Sequence, residues 1–299
     1  MSDAGGTTRM VEANGLTFET LEAGSGDRLA LFLHGFPELN FSWRHQLPMF
    51  ARLGYRAWAP NLRGYGKSSR PKGVGAYHID HLVADVAGLI DAAGAREVTL
   101  VAHDWGAIIA WMFAIRKTRP LHRLIIMNVP HPLCFAREVR HWRQLKKSWY
   151  VFFFQIPGLP ERLLAANNAR AIGDAFRNMA IDKSRFPPEV LEVYRRAALE
   201  PGALTAMINY YRAAMRARPS VMQPRPGTVD VPTLMIWGEE DSALSKETTY
   251  GTDEFVRDLT IRYLPGVSHW VQQEAPEKVN AIIEAWLSGQ TVPQASEIE

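Results

Sequence analysis

Val98-Thr99-Leu100-Val101-Ala102-His103-Asp104-Trp105-Gly106-Ala107, the stretch VTLVAHDWGA, carries strand-forming residues into a sharp turn of small residues and on into the helix-like IIAWMFAIRK. In a strand-turn-helix elbow, small residues flank the central side chain because the backbone is strained and neighbouring chains approach closely. Ala102 and Gly106 hold those positions around Asp104, alanine standing where a glycine is usual. Such an elbow presents its central side chain at the carboxyl end of a sheet strand, where open α/β sheets bind ligands. Taken alone, the aspartate is equally well read as the N-cap of the following helix.

The chain on either side supports the elbow. Short apolar runs at 28–35, 55–61, 98–104, 123–130, 232–241 and 259–266 alternate with helix-length amphipathic ones, which predicts a mostly parallel, helix-covered sheet of the α/β class. The beginning differs, because Asn14-Gly15 sits between alternating segments and predicts an antiparallel hairpin at the sheet edge. From 134 to 222 no strand signal appears and helical segments rich in Arg, Ala and aromatics take over. Strands resume at Val231, so this stretch reads as a helical cap inserted into a core formed by 1–133 and 223–299, with QPRPGTVDVP as the return linker. The tail GQTVPQASEIE reads as frayed.

Composition narrows the function classes. With 47% hydrophobic and 22% charged residues over 299 positions the chain is an ordinary globular one, and no apolar run is long enough to span a bilayer. A net charge of +3 without a dense basic stripe gives no sign of nucleic acid as a partner. Arg137, Arg140, Arg143 and Lys146, spaced three apart, read as a solvated helix face. The first residues lack a secretory signal and Cys134 is the single cysteine, from which a cytoplasmic setting is expected. Histidines are scattered, HExxH is absent, and Gly64-Tyr65-Gly66 lacks phosphate-loop spacing, so neither a metal nor a cofactor is assigned. Oligomeric state is left open, a homodimer included.

Three further segments give Asp104 partners. His34-Gly35-Phe36-Pro37 follows an earlier strand, where the hydrolase plan puts one oxyanion donor; the other is the amide just after the nucleophile, so the expected donors are the Phe36 and Trp105 N–H groups. His269 lies after the last strand, in the position of the base. Asp241 qualifies as the acid that orients it, with Glu239 and Glu240 as adjacent alternatives. A serine at the elbow would suit acyl substrates, whereas a carboxylate is already charged and attacks saturated carbon, leaving an ester that water can cleave at its own carbonyl. Epoxides and alkyl halides both fit. An opening epoxide needs proton donors over the pocket, and Tyr211 is a candidate, on an inward face with Leu204, Met207, Ile208 and Met215, Tyr210 lying about 100° away. Tyr150, in KSWYVFFFQIPG, is the other; for each tyrosine singly, core packing is the commoner role.

With these residues assembled, the chain resembles the epoxide hydrolases of the α/β-hydrolase superfamily. The resemblance rests on HGFPELNFSWR, RGYGKSS, HDWGA and NVPHP, and runs from about residue 10 to 288. It implies an α/β-hydrolase fold with a helical cap, small-molecule epoxide and water as substrates, Asp104 as nucleophile, and His269 with Asp241 as the water-activating pair. It further implies that Tyr150 and Tyr211 hydrogen-bond the epoxide oxygen. Asn61 stands where relatives often carry aspartate, and Phe153 and Phe154 make the cap segment more apolar. Haloalkane dehalogenases share HDWG, but many carry a halide-binding Asn where Phe36 stands, and some carry their acid at the position of Asn128. An epoxide hydrolase is therefore expected, with a dehalogenase as the alternative and a non-catalytic binding module as a remote third. The physiological substrate and its enantiomer are not legible.

Overall fold

The structure, a computed structural model, describes residues 6–139, 146–218 and 228–298. Strands β1 (Thr7–Ala13), β2 (Leu16–Ala23), β3 (Arg28–Leu33), β4 (Arg56–Pro60), β5 (Glu97–His103), β6 (Arg123–Met127), β7 (Thr233–Gly238) and β8 (Leu259–Leu264) form one sheet in the order β1-β2-β4-β3-β5-β6-β7-β8. The predicted hairpin is present: Ala13 pairs with Leu16, and Asn14 and Gly15 both take positive φ (50° and 70°), as a two-residue turn matched to strand twist requires. From β4 onward all neighbours are parallel.

The six apolar runs all became strands: β3 to β7 are buried on both faces beyond their first residues, the edge strand β8 only partly, and the pleat divides their side chains between two cores. Leu29, Leu31 and Leu33 point toward α2 (Ile79–Ala93) and α3 (Trp105–Ile115), while Ala30 and Phe32 point toward α1 (Leu47–Arg52) and the carboxyl-terminal helix. β3 leads to β4 on one side and is bordered by β5 on the other. The loops leaving β3 and β5 therefore meet at a topological switch point, the place where open sheets form their crevice.

Between β6 and β7 the chain forms α4 (Pro132–Glu138), α5 (Trp149–Phe153), α6 (Leu159–Met179), α7 (Pro188–Leu199) and α8 (Ala203–Arg216), with no strand among the described residues of 134–222. The second half holds α9 (Val271–Glu274) and α10 (Pro276–Leu287). α6 is broken at Asn167, Asn168 and Ala169, whose positive φ interrupts the helix. In α8, Leu204, Met207, Ile208 and Tyr211 are buried as their spacing predicts, whereas Met215 at the end of the stripe is half exposed. Tyr210 is buried as well, because it reaches the core and donates to the Arg63 carbonyl at 2.8 Å.

Two expectations change. The tail is not frayed over its described part: Arg262 donates to the carbonyls of Val292 and Pro293, Ala295 is buried, and Gln294 and Glu297 form a capping box. Arg137 is engaged rather than simply solvated, paired with Glu254 at 3.1 Å and donating to the Tyr250 carbonyl. Arg140 and Arg143 of that face, and the first half of the QPRPGTVDVP linker, lie outside the described residues. Among the described residues no helix is long and apolar enough to cross a membrane.

Candidate active site

Asp104 sits between β5 and α3 with φ 47° and ψ −123°, a strained conformation for a residue bearing a side chain. Its carboxylate makes no N-cap bond; α3 starts instead from the Asp104 carbonyl, which accepts from Ala107 and Ile108. The surroundings enforce the turn. A Cβ on Gly106 would lie 2.1 Å from the Leu33 carbonyl oxygen, and one on Gly35 would lie 2.2 Å from the Asp104 side chain. The glycine of the HGFP loop is thus as necessary to the elbow as the glycine beside it in sequence, a long-range contact that local reading does not reveal.

The Phe36 N–H donates to Asp104 Oδ1 at 2.6 Å. Trp105 opens α3, so its N–H is among the amides for which a helix supplies no acceptor, and it is adjacent to the same carboxylate. The other oxygen, Oδ2, lies 3.6 Å from His269 Nε2. His269 Nδ1 donates to Asp241 Oδ2 at 2.6 Å. Asp241 is held in turn: Oδ1 accepts from the Ala243 and Leu244 amides at 2.7 and 2.9 Å, and Oδ2 accepts from Asn128 Nδ2 at 2.8 Å. The neighbours face elsewhere, Glu239 pairing with Lys246 and Glu240 accepting from the Gly266 amide.

Charge explains the protonation pattern. Burial works against ionised Asp104 and Asp241, yet His269 and the amide donors hold both below the ordinary carboxylate value. Burial also works against charged His269, but the carboxylates of Asp241 and Asp104 outweigh it and lift the imidazole to about 10. In the resting site His269 is therefore an imidazolium between two carboxylates.

Tyr150 and Tyr211 come from α5 and α8 and meet over Asp104, their ring centroids 5.8 Å apart. Both bound, together with Asp104, two adjoining apolar cavities. Burial and the nearby Asp104 charge raise both phenols above their usual value, so both retain their protons as donors. Arg212, next to Tyr211, donates to the Phe154 and Ile156 carbonyls at 2.9 Å each and pairs with Glu161 at 2.6 Å. It thereby ties the helix of one tyrosine to the segment of the other.

Sequence reading missed a buried polar cluster beneath Asp104 and His269. Glu38, fully buried, accepts from the Gly35 amide, Gln272, Gln273 and His103 Nδ1 at 2.7 to 2.9 Å. His103 Nε2 lies 2.8 Å from the His269 carbonyl oxygen, which ties the cluster to the His269 backbone. The signal was present, an acid in HGFPE and a histidine beside Asp104, but nothing local says that residues 65 positions apart touch. Among the described residues no group of three His, Cys, Asp or Glu side chains is placed to hold a metal ion.

A family profile described as alpha/beta hydrolase fold matches residues 31–276. Epoxide hydrolase 4 of Mus musculus is 38% identical over 288 residues, covering 94% of this chain and 79% of that protein. Epoxide hydrolase 1 of Caenorhabditis elegans is 36% identical, with 95% and 71% covered. The solved structure of a Bacillus megaterium epoxide hydrolase in complex with an inhibitor superimposes with a TM-score of 0.86 at 31% identity, covering 94% of this chain and all of that one. On this fold and these relatives, the chain belongs to the α/β hydrolase family, in its epoxide hydrolase group.

Proposed function

We propose that this protein hydrolyses epoxides to vicinal diols through a covalent ester of Asp104, with residues 134–222 serving as a cap over a core of 1–133 and 223–299. The observation that carries the reading is the meeting of Tyr150 and Tyr211 over a carboxylate whose other side faces His269. Asp104 Oδ2 attacks a ring carbon, the C–O bond breaks, and its electron pair goes to the oxygen, which takes a hydrogen bond or proton from the tyrosines. Alkylation removes the charge of Asp104 and with it part of what raises His269. The imidazolium can then surrender its proton, relayed through the tyrosines to the oxygen freed from the ring, which becomes a hydroxyl, and the neutral imidazole acts as base.

In the second half, His269, oriented by Asp241, takes a proton from water while the water oxygen bonds to the Asp104 carboxyl carbon. The charge gathers on Oδ1, in reach of the Phe36 N–H and beside the Trp105 N–H. Collapse breaks the ester bond, the leaving alkoxide takes the proton of the Asp104 carboxylic acid so formed, and the diol departs, leaving the Asp104 carboxylate and the His269 imidazolium as they began. Phe36 carries no side-chain amide for halide; its ring instead packs against Phe154 and Tyr211. Epoxide and water are the partners this reading needs, and cytoplasm is the compartment it is proposed for.

A single turnover in heavy-oxygen water tests the ester directly. Label is expected in the Asp104 carboxyl group and absent from the first diol. Label in that diol means that water opened the ring itself and sinks the reading.

A further inference from the structure

The two cavities that share Asp104, Tyr150 and Tyr211 are alike in size, about 300 and 310 Å³, and both are lined mainly by apolar side chains. They differ in one respect that matters for chemistry. The first extends over α3 and the start of α4, with Ile108, Met112 and Phe135 in its wall and no part of His269 or Asp241. The second runs beneath the cap, between Phe153, Leu164 and Met179, and contains His269. Water that is to be deprotonated by His269 and then attack the Asp104 carboxyl carbon must stand between those two groups. Of these two cavities, the second alone is lined by both groups.

We propose that the cavity over α3 is the substituent arm and the cavity beneath the cap is the water arm, so that preferred substrates carry one large apolar group. This rests on the alkyl-ester reading above. An epoxide with an apolar group on one carbon places it over α3 and leaves the other arm for water. With apolar groups on both carbons, the second must occupy the water arm. Ring opening still proceeds, because Oδ2 and the tyrosines are reached from either arm. What slows is the later step, in which water donates a proton to His269 Nε2, its oxygen bonds to the Asp104 carboxyl carbon, and the ester C–O bond breaks. Part of the roughly 10²–10⁴-fold contributed by a positioned general base is lost, and the ester accumulates.

The test is rapid-quench mass spectrometry of the intact protein with styrene oxide, which has one phenyl group, and trans-stilbene oxide, which has one on each carbon. The ratio of ring opening to ester hydrolysis is expected to be at least about tenfold higher for stilbene oxide. Phe153→Ala, in the wall of the water arm, should speed hydrolysis of the stilbene ester, and Met112→Ala, in the other arm, should give no such gain. Met179→Ala serves as a second opening of the water arm where Phe153→Ala does not fold. Equal accumulation with both epoxides overturns the division of the cavities, as does equal rescue by Met112→Ala. Slow opening of stilbene oxide without retained ester overturns it too. Absence of any adduct, even with His269→Gln, defeats instead the covalent reading beneath it.

Discussion

At the scale of single residues the site is an arrangement of three charges, Asp104 and Asp241 negative and His269 positive between them. Removing one charge should move the others. In Asp104→Asn, which carries the neutral group that alkylation would also produce, His269 is expected to titrate clearly below the value near 10 it has beside the carboxylate. An NMR titration of the imidazole protons checks this, and an unmoved histidine would mean that Asp241 alone sets it. Asn128 offers a second handle. Its side chain donates to Asp241 and accepts from the Gly238 amide, so it braces the acid and joins the ends of two strands. Asn128→Ala removes a buried hydrogen bond to a charged group, worth about 1.5–3 kcal/mol. Ester hydrolysis should slow by about tenfold or more, while burst-phase ring opening stays near the parental rate.

At the scale of elements, what the sequence conveyed depended on whether the physics was local. The central strands were legible because burial on both faces writes a nearly unbroken apolar run, the first two strands because a turn sits between alternating segments, and the elbow because its strain demands small residues on either side of Asp104. Convergence was not legible. Tyr150 and Tyr211 lie on different helices, and helical periodicity fixes the face of each one but not the angle between them. That angle is held by Arg212, whose guanidinium caps the carbonyls after α5 and pairs with Glu161 of α6. Arg212→Ala leaves a partly buried carboxylate and two carbonyls without their donor, and should cost about 3 kcal/mol in urea unfolding. Because it loosens the tyrosines rather than the triad, it should slow ring opening more than ester hydrolysis. Equal slowing of both steps would assign Arg212 to general stability alone.

At the scale of the whole molecule, the buried histidines of core and site set how folding stability depends on pH, and they act with opposite signs. His34 and His131 are buried with few compensating charges, so burial lowers both from 6.5 to about 4. Between those values the unfolded chain binds protons that the folded one refuses, and stability falls as the solution is acidified from 6.5 toward 4. His269 behaves in the reverse manner. Its folded value near 10 lies above its ordinary 6.5, so its contribution is complete below 6.5 and is lost as pH rises toward 10. Asp104 and Asp241, held low, support the fold down to the acid end of this range. Urea midpoints measured from pH 4 to 10 should therefore trace a dome with its maximum near 6.5. His269→Gln should flatten the alkaline limb and leave the acid limb standing, whereas His131→Gln should shallow the acid limb alone. An alkaline limb that survives in His269→Gln would place the proton release elsewhere and remove the claim that this imidazole is charged in the resting enzyme.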